Sequence, residues 1–100
     1  MQHVTVQDLR AALAEGALVI DVREPDEFAA GRVPGARLVP MATVPQVLAD
    51  LPRDRPVYVI CAVGARSAYA AQFLSQQGVD ARTVDGGTAE WAAAGLPLER

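Results

Sequence analysis

The sequence predicts an α/β fold with a mostly parallel central sheet and helices on both faces. Apolar segments typical of strands alternate along the whole chain with segments of helical periodicity. Two of the strand segments, "ALVIDVR" and "PVYVIC", are apolar runs rich in β-branched residues, a pattern that predicts strands buried on both faces. Hydrophobic residues make up 51% of the 100 residues, which is enough to form one core. We therefore expect a single domain over residues 1–100.

The first half of the chain predicts two helices with clear ends, then a short strand and a third helix. A helix is predicted in "TVQDLRAALAEG", where Thr5 is a suitable N-cap and Gly16 a suitable stop. After the buried strand "ALVIDVR", the segment "EPDEFAAG" predicts a short helix with Pro25 in its first turn. A Pro-Gly turn in "RVPGARLVP" leads to a short strand candidate from Arg37 to Val39. Apolar residues at helical spacing in "MATVPQVLADLP" predict the third helix.

The second half of the chain continues the alternation. The run "PVYVIC" predicts a second buried strand, and "ARSAYAAQFLSQQG" is the clearest helix, with Gly78 as its stop. A third short strand is predicted in "ARTVDGG", before a last short helix in "TAEWAAAG" with Thr88 as a candidate N-cap. His3 stands close to the N-terminus and is interpreted as a solvated residue or a remnant of a flexible end.

Charge and composition exclude several kinds of partner. The chain carries nine basic and twelve acidic residues, a formal net charge of −3, so it lacks the basic block that binds nucleic acid. Its single cysteine excludes an internal disulfide and a cysteine-cluster metal site, and we expect no metal and no cofactor. No apolar stretch approaches the ~20 residues of a membrane span, and the N-terminus lacks the pattern of a signal peptide. The expected partners include neither nucleic acid nor membrane, and the expected compartment is the cytoplasm.

Three features that can carry chemistry follow predicted strands. They are Asp21–Arg23, Cys61–Arg66 and Asp85–Gly87. In parallel α/β folds, binding sites gather at the carboxyl ends of the strands. The coincidence of the three features therefore favours one site over three unrelated loops.

Cys61 is the candidate nucleophile because it comes at the turn between a strand and a helix start. A free thiol has a pKa near ~8.5, whereas cysteines at helix N-termini have pKa values of roughly 3.5–7.5. Gly64 allows a tight bend in which successive N–H groups point at one centre, and the helix adds its positive end. Arg66 adds a cation that can cap the loop or contact an anionic substrate, and Ser67 can donate its hydroxyl or cap the helix. No histidine stands near Cys61 in the sequence, so we expect the backbone to activate the sulfur.

Other polar and glycine residues at the strand ends are expected to be structural. Asp21, Arg23 and Glu27 could bind a ligand, but charged residues at such ends more often tie loops together. Asp21 is expected to satisfy backbone donors, and Arg23 to pair with Glu27. Gly86 and Gly87 are expected to allow close passage of the backbone beside the cysteine loop.

Three strings between Asp21 and Glu99 carry a resemblance to a known family: "DVREPDEFAAGRVPGARLVP", "CAVGARS" and "VDGGTAEWAAAGLPLE". In these strings the chain resembles the rhodanese family of single-domain sulfurtransferases. The first is similar to the family's Asp-Val-Arg segment with its Pro-Gly-Ala turn, and the third to its Gly-Gly, Trp, Ala-Gly-x-Pro ending. The second is similar to the active-site pattern of Cys, two residues, Gly, one residue, Arg, Ser. Arg32 stands where the family often has His, at a position expected to be structural or at the rim of the site.

The resemblance implies a single rhodanese-like domain that works as a sulfurtransferase with Cys61 as the catalytic residue. Cys61 would take sulfane sulfur from a small-molecule donor, thiosulfate or a persulfide. It would pass the sulfur to a thiol or a partner protein, or to cyanide in vitro. The resulting persulfide is an anion at neutral pH, and an inward-facing ring of N–H groups stabilises that charge. The implied substrate-binding residues form the loop: Ala62, Val63, Gly64, Ala65, Arg66 and Ser67.

Two other classes of function stay open beside the sulfurtransferase. A cysteine-based phosphatase or arsenate reductase places five residues between Cys and Arg, whereas four residues separate Cys61 from Arg66. The shorter loop favours sulfur transfer, because a tetrahedral oxyanion needs the larger ring of donors. A rhodanese-like module that only binds a partner, or relays sulfur to one dedicated protein, is the other class. An absent cysteine would have favoured a non-catalytic module, so the presence of Cys61 favours the enzyme or sulfur carrier.

Overall fold

A five-stranded sheet forms the centre of the computed structural model, which describes residues 1–100. Its strands are β1 (Gln2–Val4), β2 (Leu18–Asp21), β3 (Arg37–Leu38), β4 (Val57–Ile60) and β5 (Ala81–Val84). Every neighbouring pair is parallel, and the spatial order is β1–β5–β4–β2–β3. The two strongly apolar runs form β2 and β4, which lie next to each other inside the sheet. Burial on both faces explains why neither run alternates with polar residues.

The connections between the strands are mainly helical. The helices are α1 (Val6–Ala14), α2 (Pro25–Ala30), α3 (Val44–Val47), α4 (Ala65–Gln76) and α5 (Gly87–Ala93). Short 3-10 turns at Met41–Thr43 and Leu48–Asp50 flank α3. None of the helices combines the length and the apolar character needed to cross a membrane.

Two hydrophobic cores lie on opposite faces of the sheet. One contains strand residues together with residues from α3 and α4: Ile20, Val57, Val59, Val44, Ala70 and Leu74. The other joins different strand residues to α1 and α5: Val19, Ile60, Val84, Val6, Leu9 and Trp91. Successive strand residues point to opposite faces, so β2 and β4 contribute to both cores. The predicted α/β fold with helices on both faces is confirmed.

Local signals placed the ends of the two longest helices correctly. Before α1, the Thr5 hydroxyl accepts a hydrogen bond from the N–H of Asp8 (3.0 Å), and the Asp8 carboxylate accepts one from the N–H of Thr5 (2.9 Å). This reciprocal capping box satisfies donors that the first turn leaves free. Gly16 and Gly78 follow α1 and α4 with φ of 84° and 89°, a conformation in which glycine ends a helix at little cost.

The helix predicted in "MATVPQVLADLP" is confirmed only in part. The segment breaks into a 3-10 turn, the single turn of α3 and a second 3-10 turn. Pro45 has no N–H to donate to the carbonyl of Met41, a bond that a continuous α-helix would contain. The N–H of Val44 bonds to that carbonyl instead, which gives the tighter 3-10 geometry.

The strand β1 at the edge of the sheet is not predicted by the sequence pattern. Its three residues are too few to show alternation, and only pairing with β5 makes them a strand. His3 lies in β1 opposite Thr83, so the interpretation as a flexible end is wrong, whereas the interpretation as a solvated residue agrees with the structure. Its side chain is 55% exposed, and Nδ1 lies 2.7 Å from the carboxylate of Asp85. The edge strand thus contributes a polar pair beside the carboxyl end of β5.

Candidate active site

The carboxyl ends of β2, β4 and β5 bring the three predicted features to one edge of the sheet. The segments after β4 and β5 touch directly: a Cβ on Gly87 would lie 2.5 Å from the carbonyl oxygen of Cys61. The segment after β2 is continuous with the region that carries Glu27, which binds Arg66. The features at Cys61 and at Asp85–Gly87 meet as expected. Asp21 and Arg23 instead bond to each other, and Arg23 also to Gly31, and neither side chain bonds to the cysteine loop.

Cys61 comes directly after β4 and is 1% exposed. The N–H of Gly64 donates to its sulfur across 3.1 Å, and the sulfur lies 3.5 Å from the hydroxyl oxygen of Ser67. Gly64 has φ of 116° as the N-cap of α4, and a Cβ there would lie 3.5 Å from the backbone nitrogen of Gly86. The left-handed conformation, which favours glycine, is what turns the chain back over the sulfur.

The loop lowers the pKa of Cys61 although the residue is buried. Burial is the largest single influence, and it raises the pKa because it disfavours the charged thiolate. Hydrogen bonds from the Ser67 hydroxyl and from the N–H groups of Ser67, Gly64 and Val63 lower the pKa, and together they outweigh burial. The thiolate is therefore favoured relative to a free thiol. This direction agrees with the expectation that the backbone activates the sulfur.

Ser67 links the sulfur to the sheet through a chain of hydroxyl groups. Its oxygen lies 2.8 Å from that of Thr83 in β5, and both residues are fully buried. Its hydroxyl also lies within bonding distance of the Gly64 carbonyl (3.1 Å). Thr83 is not among the predicted site residues, although a polar side chain inside the strand "ARTV" is a signal that could have indicated it. The geometry makes Thr83 a support for Ser67 rather than a group that reaches the sulfur.

Thr88, in the first turn of α5, holds the backbone of Cys61. Its prediction as an N-cap is wrong, because α5 begins at Gly87 and Gly86 takes the N-cap position. The N–H and the hydroxyl of Thr88 both donate to the carbonyl of Cys61, at 2.9 and 3.1 Å. Gly87 permits this approach, since any side chain there would collide with the carbonyls of Cys61 and Ala62. The expected close passage at the glycine pair agrees with the structure.

Arg66 binds Glu27 and not a neighbour on its own helix. Its guanidinium donates to both carboxylate oxygens of Glu27, at 2.7 and 2.9 Å, and joins α4 to α2. This hydrogen-bonded pair and the N–H of Glu24 lower the pKa of Glu27 from 4.5 to about 2. Glu27 is therefore ionised at neutral pH, and it neutralises the only cation that the loop carries.

The predicted pair between Arg23 and Glu27 is wrong. Arg23 turns inward and binds Asp21, with Nε and Nη2 at 2.9 to 3.1 Å from the carboxylate oxygens. Arg23 also donates to the carbonyl of Gly31, and its N–H donates to Asp21, as expected for an acid that satisfies a backbone donor. Both side chains are buried, so each needs the other. Asp21 and Arg23 are structural, whereas Glu27 in α2 binds Arg66 at the end of the cysteine loop.

The substrate-binding residues that the resemblance implies differ in their exposure to solvent. Val63 is 67% exposed and Ala65 is also exposed, whereas Ser67 is buried. Positions 62–65 contain no charged side chain, so this part of the loop can offer a ligand only N–H groups and apolar contacts. A separate groove of about 360 Å3 lies between Met41 and Phe73. It follows the part of α4 that is C-terminal to Arg66.

Comparison with known sequences decides the family. The sequence profile of the rhodanese-like domain matches residues 5–94. The chain belongs to the rhodanese-like domain family. A sulfurtransferase from Allochromatium vinosum is 40% identical over 90 residues, which cover 89% of this chain and 84% of the relative. The thiosulfate sulfurtransferase GlpE of Pseudomonas putida is 40% identical over 88 residues, or 87% of this chain and 80% of the relative.

Solved structures agree with this assignment. The crystal structure of a rhodanese-related protein from Thermoplasma volcanium superimposes with a TM-score of 0.92 at 34% identity, covering 99% of this chain and 98% of that one. A thiosulfate sulfurtransferase from Pseudomonas aeruginosa gives a TM-score of 0.90 at 28% identity, covering 100% of this chain and 20% of that one. Family and relatives together support sulfur transfer as the general chemistry of this rhodanese-like domain.

Arg32, which stands where rhodanese sequences often have His, has a structural position. Its guanidinium lies over the ring of Phe28, 4.7 Å from the centroid, and its N–H donates to the carbonyl of Glu99. The carbonyl of Arg32 accepts a bond from Glu99 in return. Arg32 thus ties the end of α2 to the C-terminal segment, away from the bonds that hold Cys61.

Proposed function

We propose that Cys61 carries sulfane sulfur as a persulfide. The Cys61 thiolate attacks the outer sulfur of a donor, a new S–S bond forms, and the old bond breaks with its electron pair on the leaving group. With thiosulfate the leaving group is sulfite. The thiolate of an acceptor then takes the outer sulfur, and Cys61 returns to the thiolate. Thiols, partner proteins and, in vitro, cyanide are the acceptors of this proposal.

The observation that carries the proposal is the hydrogen bond from Gly64 to the sulfur, in a loop that lowers the pKa of Cys61. N–H groups aimed at one sulfur stabilise a thiolate before the reaction and a persulfide anion after it. The apolar side chains at positions 62–65 add no group that could attack the persulfide. The proposed substrate-binding set is the loop itself: Ala62, Val63, Gly64, Ala65, Arg66 and Ser67.

The ion pair of Arg66 disfavours the phosphatase alternative. A loop that binds a phosphate dianion needs donors for three equatorial oxygens, and an arginine fork is well suited to two of them. Here Glu27 holds the fork of Arg66 with both oxygens. Sulfur transfer needs no such fork, because the charge to be stabilised sits on one sulfur atom.

The proposal also assigns the chain to a reducing compartment, with the cytoplasm expected. A reactive free cysteine without a disulfide partner is typical of such a compartment. A sulfur-relay module that serves one partner protein shares the Cys61 persulfide and differs only in its acceptor. An inert binding module differs at the first step, since it forms no persulfide.

The first prediction concerns Cys61 itself. Wild type incubated with thiosulfate or with cysteine persulfide, without reductant, should gain the mass of one sulfur atom, and Cys61→Ser should gain none. Thiocyanate formation from thiosulfate and cyanide should disappear in the same variant, because no other thiol exists in the chain. Intact-mass spectrometry and circular dichroism are the measurements, the second as a control of folding. Undiminished turnover in folded Cys61→Ser would overturn the proposal.

A further inference from the structure

The two arginines that follow β2 and β4 at the site, Arg23 and Arg66, are each paired with a carboxylate. Arg66 is bound to Glu27 through two bonds, and Arg23 to Asp21 through three. No charged side chain stands at positions 62–65. The two ion pairs sum to zero, so among these groups only the thiolate form of Cys61 adds a net charge, and that charge is negative. A dianion that enters the loop is repelled by the thiolate, and both of these arginines are already bound to carboxylates.

Glu27 is held in the position from which it neutralises Arg66. The N–H of Glu24 donates to Oε1 of Glu27 (3.0 Å), the same oxygen that accepts from Arg66. The bond from Glu24 is part of the N-terminal cap of α2, so folding of that helix orients the carboxylate. The side chains of Glu27 and Arg66 are 32% and 38% exposed, close enough to solvent for an incoming ligand to compete for the guanidinium.

We propose that Glu27 is a specificity-determining residue that directs this domain to persulfide donors and away from thiosulfate. The inference rests on the proposed Cys61 persulfide. With a persulfide donor, R–S–SH and the Cys61 thiolate give the Cys61 persulfide anion and R–SH. The donor S–S bond breaks, its electron pair goes to the leaving thiolate, and the donor proton ends on that sulfur. Thiosulfate instead brings two negative charges and must lose sulfite, which carries both of them.

The test is the Glu27→Gln variant, assayed with both donors. The amide side chain of this variant can still accept the bond from Glu24 with its carbonyl oxygen, whereas the charge opposite Arg66 is gone. The freed guanidinium can then bind the sulfonate oxygens of thiosulfate. We expect the KM for thiosulfate to fall about tenfold, equivalent to about 1.4 kcal/mol, with kcat nearly unchanged. Thiosulfate carries two negative charges, whereas cysteine persulfide brings at most one net negative charge. Because Coulomb energy is proportional to charge, the KM for cysteine persulfide should change by at most about threefold.

Two further variants isolate the pair. Asp26→Asn makes the same change of net charge on the same helix at an exposed position, and it should leave both KM values near those of wild type. Glu27→Gln combined with Arg66→Gln should lose the gain for thiosulfate, since no guanidinium remains. A Glu27→Gln variant that changes both donors equally, or an equal gain in Asp26→Asn, would overturn the inference.

A measurement on the wild type keeps the inference testable if Glu27→Gln does not fold. Repulsion between the site and a dianion is screened by salt, so kcat/KM for thiosulfate should rise as ionic strength increases from about 0.01 to about 0.15 M. A fall over that range would mean that a free cation attracts thiosulfate, contrary to the role given to Glu27. Loss of all sulfur loading with both donors would instead contradict the proposed function itself.

Discussion

At the scale of single residues, the proton of Ser67 decides how the sulfur is stabilised. A hydroxyl has one proton to donate, and Ser67 lies within reach of both the Cys61 sulfur and the Gly64 carbonyl. When Cys61 is a thiolate, the Ser67 proton serves the sulfur, and the Thr83 hydroxyl can donate to the Ser67 oxygen. When Cys61 is a thiol, its proton bonds to Ser67, whose own proton turns to Gly64. Ionisation of the sulfur therefore reorients a buried hydroxyl chain.

Replacing Ser67 with Ala should raise the pKa of Cys61. The variant loses the hydroxyl that favours the thiolate, while burial, which disfavours it, remains. The rate of alkylation by iodoacetamide should reach half its plateau at a higher pH than in wild type, and sulfur loading should slow at neutral pH. Ser75→Ala is the matched control in the same helix, since the Ser75 hydroxyl is buried without a partner. An unchanged alkylation profile in Ser67→Ala would contradict this role.

At the scale of elements, the cysteine loop is held by the start of α5 as much as by α4. Thr88 in the first turn of α5 fixes the Cys61 carbonyl, and the N–H of Ala89 bonds to the carbonyl of Ala62. These contacts require the α5 backbone to pass within van der Waals distance of the loop, which Gly87 alone allows. The loop conformation is therefore a product of two helix starts that converge on one strand end.

Replacing Gly87 with Ala should displace the loop and reduce sulfur transfer. Its Cβ would collide with two backbone carbonyls, and φ of 59° is unfavourable for alanine. Gly95→Ala has a comparable φ of 77° but open space around the Cβ, so it costs conformational strain alone, about 1 kcal/mol. Urea denaturation should show a larger loss for Gly87→Ala, and only that variant should lose activity. Equal losses of stability and activity in the two variants would show that the contact between Gly87 and the cysteine loop contributes to neither.

At the scale of the whole molecule, one sheet couples two cores. Leu74 of α4 belongs to the core on one face, and Trp91 of α5 to the core on the other. β2 and β4 supply residues to both cores, so neither core can persist without the sheet. Unfolding is expected to be a single cooperative transition, as in most domains of this size.

Leu74→Ala should therefore shift a signal that comes from the opposite core. Leu74 is fully buried, and its truncation should lower the free energy of unfolding by about 2–5 kcal/mol. Fluorescence of Trp91, the only tryptophan, and far-UV circular dichroism should show the same lowered urea midpoint. Tyr69→Ala, at a position of the same helix that is 74% exposed, should leave both midpoints nearly in place. A tryptophan transition that stays at the wild-type midpoint would mean that the two cores unfold separately.

The sequence alone determined the features that depend on local pattern. Continuous apolar runs predicted β2 and β4, and the Thr5 cap and the Gly78 stop predicted ends of α1 and α4, because each signal acts within one or two turns of chain. The expected convergence on Cys61 followed from the rule that parallel strands end at one edge. The sequence also contains Pro45, but the pattern did not predict where the helix breaks. The structure shows the break at the position where Pro45 cannot donate to the carbonyl of Met41.

Only the tertiary structure decided which distant side chains meet. β1 exists because β5 lies beside it, and Arg66 binds Glu27, 39 positions away, because α2 and α4 come together near the cysteine loop. Thr83 and Thr88 are distant from Cys61 in the sequence and come close to it only in the folded chain, so no local pattern predicts their contacts. Partners of charged and hydroxyl groups are chosen by proximity and burial, since a buried polar atom must find a donor or acceptor wherever the fold supplies one.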